Sequence, residues 1–187
     1  MNINIKNSVL LIASLAALFW VIELIDIATG NKFGIYGILP RTVIGLRGII
    51  FSPFIHQNIY HLLLNTIPFI ILGTLVSLRG LNDFLELSLF VMLVGGAGVW
   101  LVGRPAYHIG ASGLIFGYFG FLATAGWYER RFSSICISLV VLFLYGGFLH
   151  GVLPGRPFVS WEGHLCGLLA GVTCASLLKK TTLKQNK

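Results

Sequence analysis

The chain has 187 residues, of which 56 % are hydrophobic and only 10 % are charged, whereas about a quarter of the residues in an ordinary soluble domain carry a charge. With 13 basic and 6 acidic side chains, it cannot build the polar exterior that a soluble protein needs. This composition excludes a soluble globular enzyme, a nucleic-acid binder and a disordered chain. It predicts a protein whose main solvent is lipid.

The apolar runs predict six transmembrane helices, because about 20 mostly apolar residues are enough for a helix to span the hydrocarbon core. These spans cover roughly residues 8–28, 58–78, 84–103, 111–128, 132–151 and 161–178. No separate soluble segment is visible, so the predicted fold class is an all-α polytopic membrane protein with one domain over residues 1–187. The long semi-apolar loop of residues 29–57 is expected to lie in the interface or to pack on the bundle.

The basic residues are divided unequally between the two sides of such a six-helix protein. The side with both termini carries eight of them, namely Lys6, Arg79, Arg130, Arg131, Lys179, Lys180, Lys184 and Lys187. The other side carries five, namely Lys32, Arg41, Arg47, Arg104 and Arg156. The positive-inside rule therefore predicts that both termini are cytoplasmic and that the second, fourth and sixth spans begin on the outer side. The short loops and the basic C-terminal segment favour a bacterial plasma membrane.

Polar residues inside a span are candidates for function, because the membrane makes them costly. His61 and Asn65 lie in the second span, Ser112 in the fourth and His164 in the sixth. Each lies within about two turns of the outer end of its helix, so a rise of about 1.5 Å per residue places all four at a similar depth. Three polar clusters at one level can form one site.

This set of residues suits acyl transfer, and therefore peptide-bond hydrolysis. A serine hydroxyl becomes a nucleophile when a neighbouring base, usually histidine, accepts its proton. His61, Asn65 and the backbone N–H of Ser112 are donors that can stabilise the resulting oxyanion.

Glycines run along the fourth and sixth spans, among them Gly110, Gly113 and Gly167. Small residues at this spacing allow helix backbones to approach closely. Close approach is what a short serine side chain needs to reach a histidine on another helix.

Each candidate also has a purely structural interpretation. Ser112 can be a small packing residue, His164 an interhelical hydrogen-bonding residue, and His56 with His61 an interfacial pair. Their shared depth favours a common site instead. A metal site is not predicted, because no span carries the His-Glu-x-x-His pattern of a metalloprotease. The three cysteines, Cys136, Cys166 and Cys174, are expected to act as small apolar packing residues.

At these residues the sequence resembles the rhomboid family of intramembrane serine proteases. The matching motifs are His56-x4-His61-Leu-x-x-Asn65 in the second span, Gly110-Ala-Ser112-Gly-Leu-Ile-Phe-Gly117 in the fourth, and Gly163-His164-x-x-Gly167-x-x-x-Gly171 in the sixth. Their order, spacing and helix number agree, and the resemblance spans roughly residues 40–178.

The resemblance implies a six-transmembrane-helix rhomboid-like bundle that uses no cofactor. Ser112 would be the nucleophile and His164 the general base of a dyad, and His61, Asn65 and the Ser112 N–H would form the oxyanion hole. Gly110 would leave room for the substrate backbone, and the fifth span with the loop after it would form a lateral gate and cap. The implied partners are transmembrane protein substrates and the lipid bilayer, not nucleic acid, and no particular oligomeric state is implied.

The sequence departs from the family pattern at several positions. Leu46-Arg47 stands near the place of the first-loop Trp-Arg pair. Phe116 replaces a tyrosine often found beneath the histidine, and it keeps the stacking surface while losing the hydroxyl. Glu162 is expected to point away from the His164 ring, and His108, in the loop before the fourth span, is expected to be solvated.

Two other functional classes remain as alternatives. A rhomboid-like protein without strong catalysis could bind or escort membrane clients, although the intact Ser112 and His164 argue against this. A small transporter or channel would predict internal repeats or charges at the bilayer midplane. Instead, Glu23 and Asp26 lie near the outer end of the first span.

Overall fold

The computed structural model describes residues 5–155 and 159–185, with side chains described up to residue 178. Seven helices form this part of the chain: α1 Ile5–Ala28, α2 Ile44–Phe54, α3 Ile59–Ser77, α4 Leu81–Val102, α5 Ser112–Glu129, α6 Phe132–Val152 and α7 Trp161–Gln185. Helix α4 contains a π-helical turn, and α6 ends in a 3-10 turn. The described residues contain no strand, only an isolated bridge between Ile38 and His108.

The all-helical prediction is confirmed, but the count of six helices is not. Each predicted span overlaps one long helix, and α2 is an additional short helix inside the predicted loop of residues 29–57. Glycines and a proline interrupt this segment and obscure any helical period in the sequence. Contacts with the end of α4 hold the segment in place, since Arg41 N–H donates to the Trp100 carbonyl at 3.0 Å and Trp100 Nε1 donates to the Thr42 carbonyl at 2.8 Å.

Four of the described helices, α1, α3, α4 and α6, are long and apolar enough to cross a membrane. Helices α5 and α7, which correspond to the predicted fourth and sixth spans, do not belong to this group. Helix α5 lies in the centre of the protein, and every residue from Leu114 to Leu122 is buried. A central helix is covered by its neighbours, so it needs less apolar character than a helix that faces lipid.

Aromatic side chains join the first four long helices to each other. The Phe19 and Phe69 rings lie 5.0 Å apart, and Tyr118 of α5 contacts Phe69 and Phe84 at 5.9 and 5.8 Å between ring centroids. The Tyr118 hydroxyl is 2.7 Å from Ser88 Oγ, so its polar end is paired inside the core. These contacts fix α5 against α1, α3 and α4.

Helices α5 and α7 approach each other until their backbones touch. A Cβ atom on Gly167 or Gly171 would overlap the carbonyl oxygens of Gly113 or Gly117 on α5. Only glycine permits this separation, as in other small-residue helix interfaces. The contact brings the first turns of the two helices together, and these turns carry Ser112 and His164.

Candidate active site

A cavity of about 610 Å³ opens between the first turns of α3, α5 and α7. Its walls include the residues of all three polar clusters, His61, Asn65, Ser112 and His164, together with Asn58 and Phe116. The structure therefore brings onto one cavity the side chains that the sequence places at one depth.

Ser112 is the first residue of α5 and is half-buried. Gly110 before it has a φ of +110°, a conformation that side-chain-bearing residues rarely adopt. A Cβ atom on Gly110 would lie 2.8 Å from His61 Cε1 and 3.8 Å from Ser112 Oγ. Glycine thus leaves open the space between Ser112 and His61. The Ser112 N–H belongs to the first helical turn, where backbone donors have no intrahelical acceptor.

His164 lies in the first turn of α7 and is oriented by one contact on a face of its ring and one at its edge. Its Nδ1 is 2.9 Å from the Gly151 carbonyl oxygen. A carbonyl can only accept, so Nδ1 carries the proton and Nε2 keeps its lone pair. The ring stacks on Phe116 at 4.1 Å with an interplanar angle of 8°. Among the described residues no hydrogen bond joins Ser112 to His164.

His61 and Asn65 present donors on the α3 side of the cavity. The Gln57 N–H donates to His61 Nδ1 at 3.3 Å, which leaves the proton on Nε2. Asn58 caps α3 by accepting the His61 N–H at 2.8 Å. Asn65 is buried, and its Nδ2 donates one hydrogen to the His61 carbonyl at 2.8 Å, with a second hydrogen remaining.

His56 contacts the backbone of the segment just before Ser112. It is 2 % exposed, and its Nε2 accepts the Ala111 N–H at 3.4 Å. Its ring also contacts those of His61 and Phe19, at 5.3 and 5.7 Å between centroids. Burial, and then the nearby His61, lower the pKa of His56 to about 3, so the ring is neutral and remains an acceptor.

The expectation that His108 is solvated is wrong. His108 is 5 % exposed, because its backbone forms two 2.9 Å hydrogen bonds with Ile38 and its ring contacts Ser160 and the Arg104 carbonyl. Burial lowers its pKa from the ordinary value. The sequence carries one related signal, since Ser160 precedes α7 at a helix-capping position.

Glu162, the cysteines and the possible metal ligands complete the description of the polar groups. Glu162 is buried and forms an ion pair with Arg104 at 3.5 Å. All three cysteines are free, with Cys136 exposed, Cys166 half-buried and Cys174 buried. Within the described ranges no group of three His, Cys, Asp or Glu side chains is placed to hold a metal ion.

Four helices able to cross a membrane, in a protein with a cavity lined by several polar side chains, define a multi-pass membrane protein. A family model described as the rhomboid domain matches residues 45–181, and the chain therefore belongs to the rhomboid family. Members of this family are generally intramembrane serine proteases.

Curated relatives come from bacteria and from a virus. The uncharacterized protein Rv1337 of Mycobacterium tuberculosis is 46 % identical over 176 residues, covering 89 % of this chain and 73 % of the relative. An uncharacterized protein of Mycobacterium leprae is 44 % identical over 176 residues, covering 89 % and 70 %. A protein of Acanthamoeba polyphaga mimivirus that is named a rhomboid protein is 32 % identical over 124 residues, covering 63 % and 67 %.

Proposed function

We propose that this protein is an intramembrane serine endopeptidase that hydrolyses peptide bonds in or near transmembrane segments of other membrane proteins. One observation carries the proposal: Ser112, His164 and the donors of His61 and Asn65 line a single cavity at the start of three helices. Membership of the rhomboid family supports it.

In the proposed reaction, Ser112 Oγ attacks the carbonyl carbon of the scissile bond and its proton passes to His164 Nε2. The tetrahedral oxyanion accepts hydrogen bonds from His61 Nε2–H, Asn65 Nδ2–H and the Ser112 N–H. His164 then gives its proton to the leaving amine. Water, activated by His164, hydrolyses the acyl-enzyme and regenerates the Ser112 hydroxyl.

In this proposal the Gly151 carbonyl orients the His164 ring, as an acidic residue does in a catalytic triad. Within the described residues no carboxylate hydrogen-bonds to His164, and Nδ1–H points to this carbonyl instead. An acceptor at Nδ1 is needed to keep the lone pair on Nε2, where the serine proton must go. A Ser-His dyad is consistent with this arrangement. Catalytic hydrogen bonds often tighten only when substrate binds, so the Ser112–His164 bond is assigned to the substrate complex.

We further propose that six helices cross a bacterial plasma membrane, with both termini in the cytoplasm. The unequal distribution of basic residues supports this orientation. Helices α5 and α7 would span as the central pair, shielded by the four helices that are apolar enough to face lipid. Large apolar side chains on α6, such as Phe143 at 87 % exposed, suit contact with lipid or with an entering transmembrane substrate.

The test is cleavage of a model transmembrane substrate by the purified full chain in detergent. We expect cleavage by the wild type, and none above background by Ser112→Ala or His164→Ala. Ser133→Ala changes an exposed serine outside the cavity and should cleave like the wild type. A fluorophosphonate probe should label Ser112 alone. Equal cleavage by wild type and Ser112→Ala would refute the proposal, and stable substrate capture without any cleavage would favour the client-binding alternative.

A further inference from the structure

A cluster of four polar side chains lies at the wall of the cavity, which three of them line, and takes no part in the proposed reaction. It consists of Arg104 and His108 from the loop before α5, and Ser160 and Glu162 from the beginning of α7 (the Arg104 cluster). His108 and Glu162 are 5 % and 4 % exposed. Buried polar groups favour pairing, and several of the pairs here connect the loop before α5 to the start of α7.

His108 and Ser160 form the first connection. His108 Nε2 lies 3.1 Å from the Arg104 carbonyl and must carry the proton, so Nδ1 accepts from Ser160 Oγ at 2.6 Å. The same hydroxyl oxygen accepts the Gly163 N–H at 3.1 Å, which caps α7. The Ser160 hydroxyl therefore forms two hydrogen bonds. Its oxygen accepts at the N-terminus of α7, and its hydrogen is donated to His108, which links α7 to the loop before α5.

Arg104 and Glu162 form the second connection. Glu162 Oε1 lies 3.5 Å from Arg104 Nε and accepts the Arg104 backbone N–H at 3.3 Å. The Arg104 guanidinium also donates to the Val159 carbonyl, just before α7. A buried carboxylate that loses its cation is strongly destabilised, so this pair resists separation of the two segments.

We propose that the Arg104 cluster positions the reacting groups by setting the distance between Ser112 and His164. The inference rests on the proposed function. The two loop members precede Ser112 by eight and four residues, and the two members at α7 precede His164 by four and two. The Ser160 carbonyl also accepts the His164 N–H at 3.1 Å, so a shift of the cap moves the first turn of α7. These are positioning residues, because they act through the two segments and not on the substrate.

The experiment compares Ser160→Ala, Ser160→Thr and Glu162→Gln in the full-length protein with the wild type. A displacement of about 1 Å can reduce turnover by about 100-fold. We therefore expect Ser160→Ala and Glu162→Gln to lower kcat by about 10- to 100-fold, with KM within about twofold. Ser160→Thr retains the hydroxyl and should restore most of kcat. Arg104, His108 and Ser160 also line the cavity. A large rise in KM with kcat unchanged would therefore show that the cluster contacts the substrate, and would overturn the proposal.

Glu129→Gln is the matched control. Glu129 pairs with Arg79 and Ser134 at the opposite end of α5, so this variant also breaks a part-buried ion pair that joins two segments. It should lower the melting temperature as Glu162→Gln does while leaving kcat near the wild-type value. If both variants lose kcat in proportion to their loss of stability, the Arg104 cluster is only structural and the inference fails.

A second readout does not depend on turnover. In protein labelled with ¹³C,¹⁵N-histidine, the NMR signals of the His164 ring are assigned by their loss in His164→Ala. These signals should shift in Ser160→Ala. They should keep their wild-type positions in Ser160→Thr and Glu129→Gln. Unmoved signals in Ser160→Ala would overturn the positioning role even if the wild type cleaved substrate. If the wild type showed no Ser112-dependent cleavage, the proposed function would be refuted. The histidine spectra would still show whether the Arg104 cluster sets the position of His164.

Discussion

The two ends of α5 both carry polar networks inside an apolar protein, but they use their hydrogen bonds differently. At the far end, Ser138 Oγ accepts the Gly126 N–H at 2.9 Å and donates to the Leu122 carbonyl at 2.6 Å, and Glu129 is paired with Arg79 and Ser134. At the cavity end, Ser112, His61 and His164 line the cavity, and within the described part of the chain no hydrogen-bond partner is found for His61 Nε2 or His164 Nε2. At the far end the polar groups form hydrogen bonds that join helices. At the cavity end several polar groups are left able to bind a molecule in the cavity.

This contrast separates two kinds of polar residue in a membrane protein. A group that is fully paired within the protein contributes to stability, and its removal exposes an unsatisfied partner. A group that is held in place yet unpaired is ready to bind something that comes from outside. Substitutions at the two ends should therefore affect different measured quantities.

Asn65→Ala should give the largest effect on turnover among the cavity variants outside the dyad. Loss of one oxyanion donor typically reduces kcat by about 100- to 1000-fold. By analogy we expect a loss of about 10- to 1000-fold here, with little change in melting temperature. Steady-state cleavage of a transmembrane substrate provides the measurement. Thr66→Ala, the next position on α3, removes a hydroxyl that accepts from Trp20 and should leave kcat intact. An unchanged rate in Asn65→Ala would remove Asn65 from the oxyanion hole.

Gly110→Ala should reduce kcat by about 10- to 100-fold, because its Cβ would press on the His61 ring and displace a donor. Gly30→Ala is a control for backbone strain: Gly30 also has a positive φ, of +89°, but its Cβ would meet nothing closer than 3.8 Å. The two variants should lose similar stability and differ in turnover. Similar turnover in both would show that the space beside Ser112 is not needed.

Ser138→Ala should act on stability alone. It removes two hydrogen bonds to the Gly126 N–H and the Leu122 carbonyl, which are then left only with each other as the i and i−4 groups of α5, and this should lower the free energy of unfolding by about 0.5–1.5 kcal/mol. Thermal unfolding in detergent measures this loss, and kcat below the transition should equal that of the wild type. A selective loss of kcat would contradict the division between the two ends of α5.

Acidification should destabilise the protein modestly through His56. Its folded pKa of about 3 lies below the ordinary value of about 6.5, so between these pH values the unfolded chain binds a proton that the folded chain does not. Stability contributed by neutral His56 is therefore complete above about pH 6.5 and falls as the pH drops toward 3. We expect a loss of about 1–2 kcal/mol between pH 7 and 5. His56→Gln, which does not titrate, should show a smaller pH dependence, and an equal one would place the titration elsewhere.

Local patterns in the sequence were enough to predict the long helices and to place the site residues near the starts of three of them. Apolar runs define a transmembrane helix directly, and a helix start fixes the depth of a residue one or two turns further along. Ser112, His164, His61 and Asn65 could thus be expected near one another, and in the structure they line one cavity. Their chemical roles stay predictions.

The features that the sequence did not reveal depend on contacts between distant segments. His108 is buried by Ile38 and Ser160, and the partner of Glu162 lies 58 residues away, at Arg104. Helix α2 lacks a clear period because glycines and a proline interrupt it. No pattern within a window of one helix contains this information, since each arrangement exists only after the bundle has formed.

The central position of α5 has a consequence for biosynthesis. A helix of 18 residues that ends in Glu129 and contains several glycines has little tendency to enter lipid alone. Its insertion should depend on α3 and α4, which are made before it, and it should become secure only when α6 and α7 are added. The nucleophile is thus carried by the helix that depends most on its neighbours, so a chain that stops before α7 lacks both the base and the surroundings in which Ser112 can be held.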